Sequence, residues 1–193
     1  TWVTPISVTF RGHRVWELPP NNQGIAALEM LRILEPYDLR ALGHNTAPYL
    51  HLLIEAKKLA YADLRRFVGD ADHLEMPAEA MLTDAFIAER RSRIDPAKAQ
   101  SRVDPGPSRT AGDTIYLTTA DADGNMVSFI NSTFDAFGSG VVVPGTGFAL
   151  HNRGAAFTLT PGLPNTAAPG KRPFHTLIPA FVTRSDGGRE QPY

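Results

Sequence analysis

The sequence contains no cysteine, so it can form neither a disulfide nor a thiolate metal site, and it cannot use a thiol as a nucleophile. No apolar run approaches the ~20 residues that span a bilayer. The formal net charge is only -1, and lysine and arginine are scattered along the 193 residues. Such a surface argues against binding to nucleic acid or to an anionic membrane. Because cysteine is absent, any nucleophile must be a serine, a threonine, a lysine or a carboxylate.

The hydrophobic pattern divides the chain into a mainly helical first part and a strand-rich second part. Apolar residues at helical spacing and their capping signals predict the helices, and runs of β-branched and aromatic residues predict the strands. Helices are predicted within residues 24–39, 45–70 and 77–95. Strands are predicted within residues 6–18, where they form a hairpin, and at 114–120, 126–132, 140–150 and 175–183. This order is typical of the α+β class.

The two ends of the sequence predict an excerpt of a longer protein. The first residue is Thr1 rather than methionine, and the return strand of a hairpin around Ser185–Gly188 stops at Tyr193. The sequence gives no location in the cell, and the cytoplasm is only slightly favoured over the periplasm.

Two acidic clusters bear a partial likeness to metal sites. Asp121, Asp123 and Gly124 have part of the spacing of a calcium loop, but its twelfth position would be Ile130 instead of glutamate, so a hairpin turn is favoured. The "GDADH" run at residues 69–73 directly follows a predicted helix and is more typical of a solvated turn. The histidines show no ligand spacing, and no metal or organic cofactor is expected.

Thr114 stands where a proline-rich connection over residues 95–113 meets the first strand of the second part. A threonine at a strand start is ordinary, because β-branched residues favour strands. If the chain were cut before Thr114, however, its hydroxyl would lie beside a free α-amine that titrates near ~8 and can accept the hydroxyl proton. A threonine paired with its own amine is a known type of activated nucleophile.

Several motifs in order along the chain resemble the γ-glutamyltranspeptidase family of N-terminal-nucleophile hydrolases. They are "LPPNNQGIAALEMLRILE", "EAKKLAYADLRRFVGD", "RIDPAKA", "GDTIYLTTADADGN", "FGSGVVVPGTGFALHNRGAAF" and "PGLPNTAAPGKRPFHTLIPAF". The resemblance implies a zymogen that cleaves itself between Asp113 and Thr114. Residues 1–113 would be the C-terminal part of a large subunit, and residues 114–193 the N-terminal part of a small subunit. The complete protein would be an αββα sandwich.

The resemblance also implies roles for individual residues. Thr114 is the expected nucleophile, and Ser132 takes the place of a hydroxyl residue that hydrogen-bonds it. Asn152 and Arg153 match a segment near the substrate pocket. His175 and Thr176 fall where the family commonly has two serines of a loop that binds the substrate carboxylate.

Two departures from the family pattern bear on the substrate. In γ-glutamyl-transferring members an asparagine and an aspartate hold the α-ammonium of the substrate, and the matching positions here are Phe134 and Ala156. A buried ammonium without partners is costly. We therefore expect a small acyl donor with a carboxylate and no amine, bound by Arg153, His175 and Thr176, with Arg172 as a further candidate. This pattern is similar to the acylase and small-amide-hydrolase branches of the superfamily.

The resemblance places the oxyanion-hole glycines of the family beyond Tyr193, so the 193 residues alone are expected to be inactive. The expected partners are a small amide substrate and the remainder of both subunits, and a homo-oligomer is left open. Three alternatives stay open. In the first, the protein is a true γ-glutamyltransferase that uses glutathione. In the second, the chain is a non-catalytic folding or assembly module. In the third, it is an α+β binding domain in which Thr114 is a plain strand residue.

Overall fold

The computed structural model describes residues 2–101 and 114–193, and within these ranges it combines three α-helices with two antiparallel sheets. The helices are α1 (Gly24–Leu34), α2 (Ala47–Phe67) and α3 (Asp84–Ser92). The strands are β1 (Ile6–Phe10), β2 (His13–Glu17), β3 (Thr114–Ala120), β4 (Met126–Ser132), β5 (Phe181–Asp186) and β6 (Arg189–Pro192). The mixed content agrees with the α+β class predicted from the sequence.

Two of the three helices begin at a threonine that caps them. Thr46 accepts a hydrogen bond from the Tyr49 amide and caps α2, with Pro48 in the first turn. Thr83 caps α3 in the same way, so the third predicted helical region is broken at this residue into a 3₁₀ turn and a helix.

The four-stranded sheet joins the two parts of the chain. Its strand order is β1-β2-β5-β6, and β2 pairs with β5 from His13↔Arg184 to Trp16↔Phe181. The indole Nε1 of Trp16 donates to Thr183 Oγ1 across this junction at 2.9 Å. Residues 1–113 and 114–193 therefore share one sheet in the described structure, and their division into two subunits stays a prediction.

The second sheet is the hairpin of β3 and β4. Its register runs from Thr114↔Ser132 to Ala120↔Met126, and its two strands lie at the predicted residues. Asp121 closes the turn, because its Oδ1 accepts from the amides of Asp123 and Asn125. The acidic run is thus a hairpin turn, and across the described residues no group of three or more His, Asp or Glu side chains is placed to hold a metal ion.

Two predicted strands differ in the structure. Residues 140–150 form only the isolated bridge Val142↔Ala149, because Gly145 and Gly147 take left-handed backbone angles (φ 75° and 77°) that turn the chain before a ladder can extend. The last strand begins at Phe181 instead of His175. The preceding residues are already bonded elsewhere, with the His175 amide donating to the Asn21 carbonyl at 2.9 Å.

The buried hydrophobic core residues of the described chain all lie in its first part, and the partly buried Phe174 of the second part packs against them. One cluster packs β1, α1 and α2 around Ile25 and Leu28, and another packs α1, α2 and α3 around Ile33 and Ile87. None of the helices in residues 2–101 and 114–193 is long and apolar enough to cross a membrane. The helices α1, α2 and α3, together with β1, enclose this core and are called the frame below. The second part of the chain packs against the frame.

Candidate active site

The end of the β3–β4 hairpin brings Thr114 and Ser132 together. They are directly paired residues of the ladder, and Thr114 Oγ1 donates to Ser132 Oγ at 3.1 Å. The hairpin register thus creates the contact between the two hydroxyls that the family resemblance implies. Asp113, the other residue of the predicted cleavage site, lies outside the described residues.

Ser132 is itself fixed by the backbone that follows it. Its Oγ also accepts from the Phe134 amide at 2.9 Å, and Phe134 has a φ of 80°, which is uncommon for a residue with a side chain. Strained backbone of this kind is concentrated at functional sites. The turn after β4 therefore holds the Ser132 hydroxyl toward Thr114 and directs the Phe134 ring to the next part of the site.

Asn152 braces this turn. Its Oδ1 accepts from the Asp135 amide at 3.1 Å, its Nδ2 donates to Asp135 Oδ2 at 2.5 Å, and its backbone amide donates to the Thr133 carbonyl. The Asn152 amide group is thus occupied by protein atoms. The substrate-binding role predicted for Asn152 stays a prediction.

Arg153 is a buried cation. It is 5% exposed, its guanidinium lies 5.1 Å from the centre of the Phe134 ring, and its Nη1 is 3.5 Å from Thr176 Oγ1. Its Nη2 is buried and has no hydrogen-bond partner among the described residues. Burial lowers the pKa of Arg153 from its usual value, but an arginine remains charged in proteins. A buried guanidinium with an unpaired donor gains a charge-assisted hydrogen bond when an anion contacts it.

His175 is a neutral neighbour of this cation. Burial, followed by the charges of Arg153 and His151, lowers the pKa of His175 to about 4. Its Nδ1 faces the Leu177 amide at 3.3 Å and acts as the acceptor of the neutral ring. At neutral pH it therefore adds no charge to the anion site, and it can contribute only the hydrogen bond of a neutral imidazole.

Arg172 has a different partner from the one expected. Its backbone amide, Nε and Nη2 all donate to the Asp70 carboxylate, at 2.7, 3.0 and 2.6 Å. Asp70 is 1% exposed, and the bonds from Arg172 lower its pKa to about 2. The expectation of a solvated turn is thus wrong for Asp70, and Arg172 is committed to a structural ion pair instead of a substrate anion.

Sequence reasoning missed the residues that hold the His175–Thr176 segment from the other part of the chain. Gln23 Nε2 donates to the Thr176 carbonyl at 2.7 Å, and the Asn21 side chain donates to the Pro173 carbonyl. Both belong to the "LPPNNQG" loop, for which the resemblance implied no residue roles. The one available signal was the presence of three adjacent amide side chains, residues 21–23, in that loop.

The comparisons with known proteins identify the family. The family model for gamma-glutamyltranspeptidase matches residues 1–191. The chain belongs to this family. It is 38% identical over 201 residues to the glutathione hydrolase-like YwrD proenzyme of Bacillus subtilis. This match covers 99% of this chain and 37% of that protein. It is 37% identical over 183 residues to the oxamate amidohydrolase proenzyme of Klebsiella pneumoniae, over 95% of this chain and 34% of that protein.

The structural comparison extends the family assignment to the fold. The crystal structure of cephalosporin acylase from Bacillus halodurans matches with a TM-score of 0.85 and 46% sequence identity. The match covers 100% of this chain and 33% of the acylase chain. This family member therefore has part of the N-terminal-nucleophile hydrolase fold, and it spans about a third of the length of the relatives it matches.

Proposed function

We propose that the protein containing this chain is a self-processing N-terminal-nucleophile amidohydrolase or acyltransferase with Thr114 as its nucleophile. The observation that carries the proposal is the 3.1 Å hydrogen bond from Thr114 Oγ1 to Ser132 Oγ at the end of a paired hairpin. Family membership supports it, because the relatives' names describe amide hydrolysis or acylase chemistry and two of them describe proenzymes.

Cleavage of the bond between Asp113 and Thr114 would activate the nucleophile. It frees the Thr114 α-amine, whose pKa near ~8 leaves a useful unprotonated fraction at neutral pH. The amine then lies on the same residue as the hydroxyl that it must deprotonate. Ser132 fixes the hydroxyl direction, and the hairpin ladder limits its movement.

The catalytic cycle follows from these groups. Thr114 Oγ1 forms a bond to the amide carbonyl carbon while the hydroxyl proton passes to the Thr114 amine. The carbon–nitrogen bond of the amide then breaks, and the amine returns the proton to the leaving nitrogen. Water or an acceptor amine then attacks the carbonyl carbon of the resulting ester and gives a proton to the Thr114 amine. The bond between that carbon and Thr114 Oγ1 breaks, and the amine returns the proton to Thr114 Oγ1 as the acyl group leaves.

Arg153 supports a carboxylate-bearing acyl donor. A buried guanidinium whose Nη2 has no partner among the described residues is stabilised when an anion reaches it. Phe134 and Ala156 offer no side-chain acceptor for an ammonium group. Thr176 Oγ1 and the neutral His175 ring lie beside the guanidinium and add uncharged hydrogen-bonding groups. The name oxamate denotes an amide that carries a carboxylate, and it suits the same pocket.

Other parts of both subunits are the expected macromolecular partners. The β3–β4 hairpin exposes large apolar side chains, including Ile115 (74%), Leu117 (52%) and Phe129 (53%). Contiguous apolar surface of this kind is usually covered by protein. The location in the cell and the formation of a homo-oligomer stay open.

A set of matched anilides tests the substrate class on the full-length protein. Glutaryl-p-nitroanilide carries a carboxylate, γ-glutamyl-p-nitroanilide adds an α-ammonium, and butyryl-p-nitroanilide carries neither. We expect kcat/KM to be highest for the glutaryl substrate. Replacing Arg153→Met removes the charged hydrogen bonds and should reduce the preference for glutaryl over butyryl by about 30-fold.

The other outcomes identify the alternatives. A preference for the γ-glutamyl substrate would favour a true γ-glutamyltransferase acting on glutathione. Cleaved protein with no turnover of any anilide would contradict this substrate class. Uncleaved protein without turnover would favour an assembly module or a binding domain.

A further inference from the structure

Residues 157–167 form a loop between the Arg153 turn and the segment that carries His175 and Thr176. Two backbone hydrogen bonds close the loop, from the Thr158 amide to the Asn165 carbonyl at 3.1 Å and from the Ala167 amide to the Thr158 carbonyl at 2.9 Å. The position of the Asn165 backbone is therefore set relative to the end of the Arg153 turn.

The first part of the chain supports this loop from behind. Pro164 is buried, and a Cβ atom on Gly69 would lie 2.5 Å from its carbonyl group and 2.9 Å from the Asn165 nitrogen. Only glycine at position 69 allows this approach. The residue that follows, Asp70, holds Arg172. The loop is thus packed closely against the first part of the chain at Gly69.

The Asn165 side chain connects the two segments that build the anion site. Its Nδ2 donates to the Ala156 carbonyl at 2.8 Å, and its Oδ1 accepts from the Phe174 amide at 2.8 Å. A carbonyl can only accept and an amide N–H can only donate, so these partners fix the orientation of the Asn165 amide. No other side chain of the same length supplies both a donor and an acceptor in this arrangement.

One hydrogen bond of the Asn165 side chain reaches the turn that carries Arg153, and the other reaches the segment that carries His175 and Thr176. Ala156 ends the 3₁₀ turn that begins with Arg153, and Phe174 directly precedes His175. Arg153 Nη1 and Thr176 Oγ1 are 3.5 Å apart, at the limit of a hydrogen bond, so a small change in their separation alters what both can bind. Asn165 joins the backbone next to each of these two side chains, so it can influence their separation.

We propose that Asn165 is a positioning residue that determines specificity for the carboxylate of the acyl donor. The inference rests on the proposed function of the site and adds to it the residue that sets the spacing of Arg153 and Thr176. Loss of the Asn165 bonds should loosen carboxylate binding and leave Thr114 and Ser132 in place, because their contact depends on the hairpin ladder.

Two substitutions in the full-length protein separate the possible effects. Asn165→Ala removes both hydrogen bonds without adding charge. Asn165→Asp keeps the acceptor for Phe174 but sets an oxygen against the Ala156 carbonyl. We expect each to lower the kcat/KM ratio of glutaryl- to butyryl-p-nitroanilide about tenfold, mainly through KM for the glutaryl substrate. Self-cleavage should proceed as in the wild type.

Thr166→Val is the matched control. The Thr166 hydroxyl accepts from the Leu163 amide and donates to the Thr160 carbonyl, so both of its bonds stay inside the loop. We expect the ratio of this variant to stay within about twofold of the wild type. An equal loss in Thr166→Val would mean that the loop as a whole matters and would overturn the assignment to Asn165.

Binding of free glutarate, measured by calorimetry, separates this inference from the proposed reaction. If the protein hydrolyses no anilide but binds glutarate about tenfold more weakly after Asn165→Ala, the positioning role stands and the reaction fails. If the wild type turns over the glutaryl substrate and both Asn165 variants keep its ratio, the inference alone fails. A loss only in Asn165→Asp would assign the effect to the added charge and overturn the inference. Absence of glutarate binding in the wild type would overturn it as well.

Discussion

The two described parts of the chain, residues 2–101 and 114–193, are stabilised in different ways. All buried hydrophobic side chains of the described core lie between Ile6 and Ile94. Residues 114–193 contribute three buried residues, Arg153, Pro164 and Thr183, and every residue of β3 is exposed. Burial of apolar surface stabilises the first part, and the candidate chemistry lies in the second part.

Polar contacts hold the segment that carries His175 and Thr176 in place against the first part of the chain. Asp70 holds Arg172, and Gln23 holds the Thr176 carbonyl, although each pair is more than 100 residues apart in sequence. The comparison therefore predicts that changes in the second part alter activity with little effect on stability. Changes in the core of the first part should do the reverse, and contacts between the parts should affect both.

The largest effect is expected from Ser132→Ala. The substitution removes the partner of the Thr114 hydroxyl, and misdirection of the nucleophile should slow self-cleavage and turnover about 100-fold. The midpoint of thermal unfolding should change little, because Ser132 lies outside the hydrophobic core. The rate of cleavage measured by gel densitometry and the unfolding midpoint measured by calorimetry check both statements.

Ser128→Ala is the control for this change. Ser128 lies on the same strand, and its hydroxyl bonds the Tyr116 hydroxyl at 2.7 Å instead of the nucleophile. Equal slowing in both variants would show that the hairpin as a whole, and not the Thr114–Ser132 contact, sets the rate.

A smaller effect on both stability and activity is expected from Asp70→Asn. The Asp70 pKa is lowered to about 2 in the folded protein, so the carboxylate stabilises the fold above its ordinary pKa and loses this contribution as pH falls toward 2. Urea unfolding at pH 7 should show a loss on the order of 2 kcal/mol, and the loss should shrink between pH 4 and pH 2. KM for the glutaryl substrate should rise, because Arg172 precedes the His175 segment.

Asp72→Asn tests whether the burial of Asp70 is the reason for its large expected contribution to stability. Asp72 Oδ2 is also 3.1 Å from Arg172 Nη2, but its side chain is 80% exposed, so water screens the interaction. A loss as large as that of Asp70→Asn, or a loss for Asp70→Asn that did not depend on pH, would contradict the account of the pair.

The smallest effect is expected in the helical core, from Glu29→Gln. Glu29 is fully buried between the helices, and burial together with the adjacent Asp63 raises its pKa well above the ordinary value. A raised carboxyl pKa means that stability is lost as pH rises above the ordinary value, because only the unfolded chain releases the proton. Glu29→Gln should therefore stabilise the protein at pH 8 by about 1 kcal/mol and have less effect at pH 5.

Activity on the glutaryl substrate should be unchanged in Glu29→Gln, which distinguishes the core from the site. Glu79→Gln, at an exposed position of the first part, should leave the unfolding midpoint unchanged at both pH values. A stabilisation of Glu29→Gln that is the same at pH 5 and pH 8 would show that proton binding by Glu29 is not its cause.

Local patterns predicted the frame and the hairpin, whereas the polar contacts between the parts could not be predicted. Thr46 and Thr83 cap the helices that follow them and so mark where these helices begin. The Asp121 turn fixes the hairpin register that brings Thr114 opposite Ser132. By contrast, the Asp70–Arg172 pair and the Asn165 connection depend on tertiary placement, which hydrophobic periodicity does not report. Family resemblance supplied residue roles, but it did not reveal that Asp70 already occupies Arg172.

Intact mass spectrometry of the freshly purified full-length protein, beside its Thr114→Ala variant, tests the central claim most directly. The account predicts two polypeptides from the wild type, with masses that place the break between Asp113 and Thr114, and a single uncleaved species from the variant. A single uncleaved species from both proteins, or the same cleavage in both, would contradict the assignment of Thr114 as a nucleophile freed by self-processing.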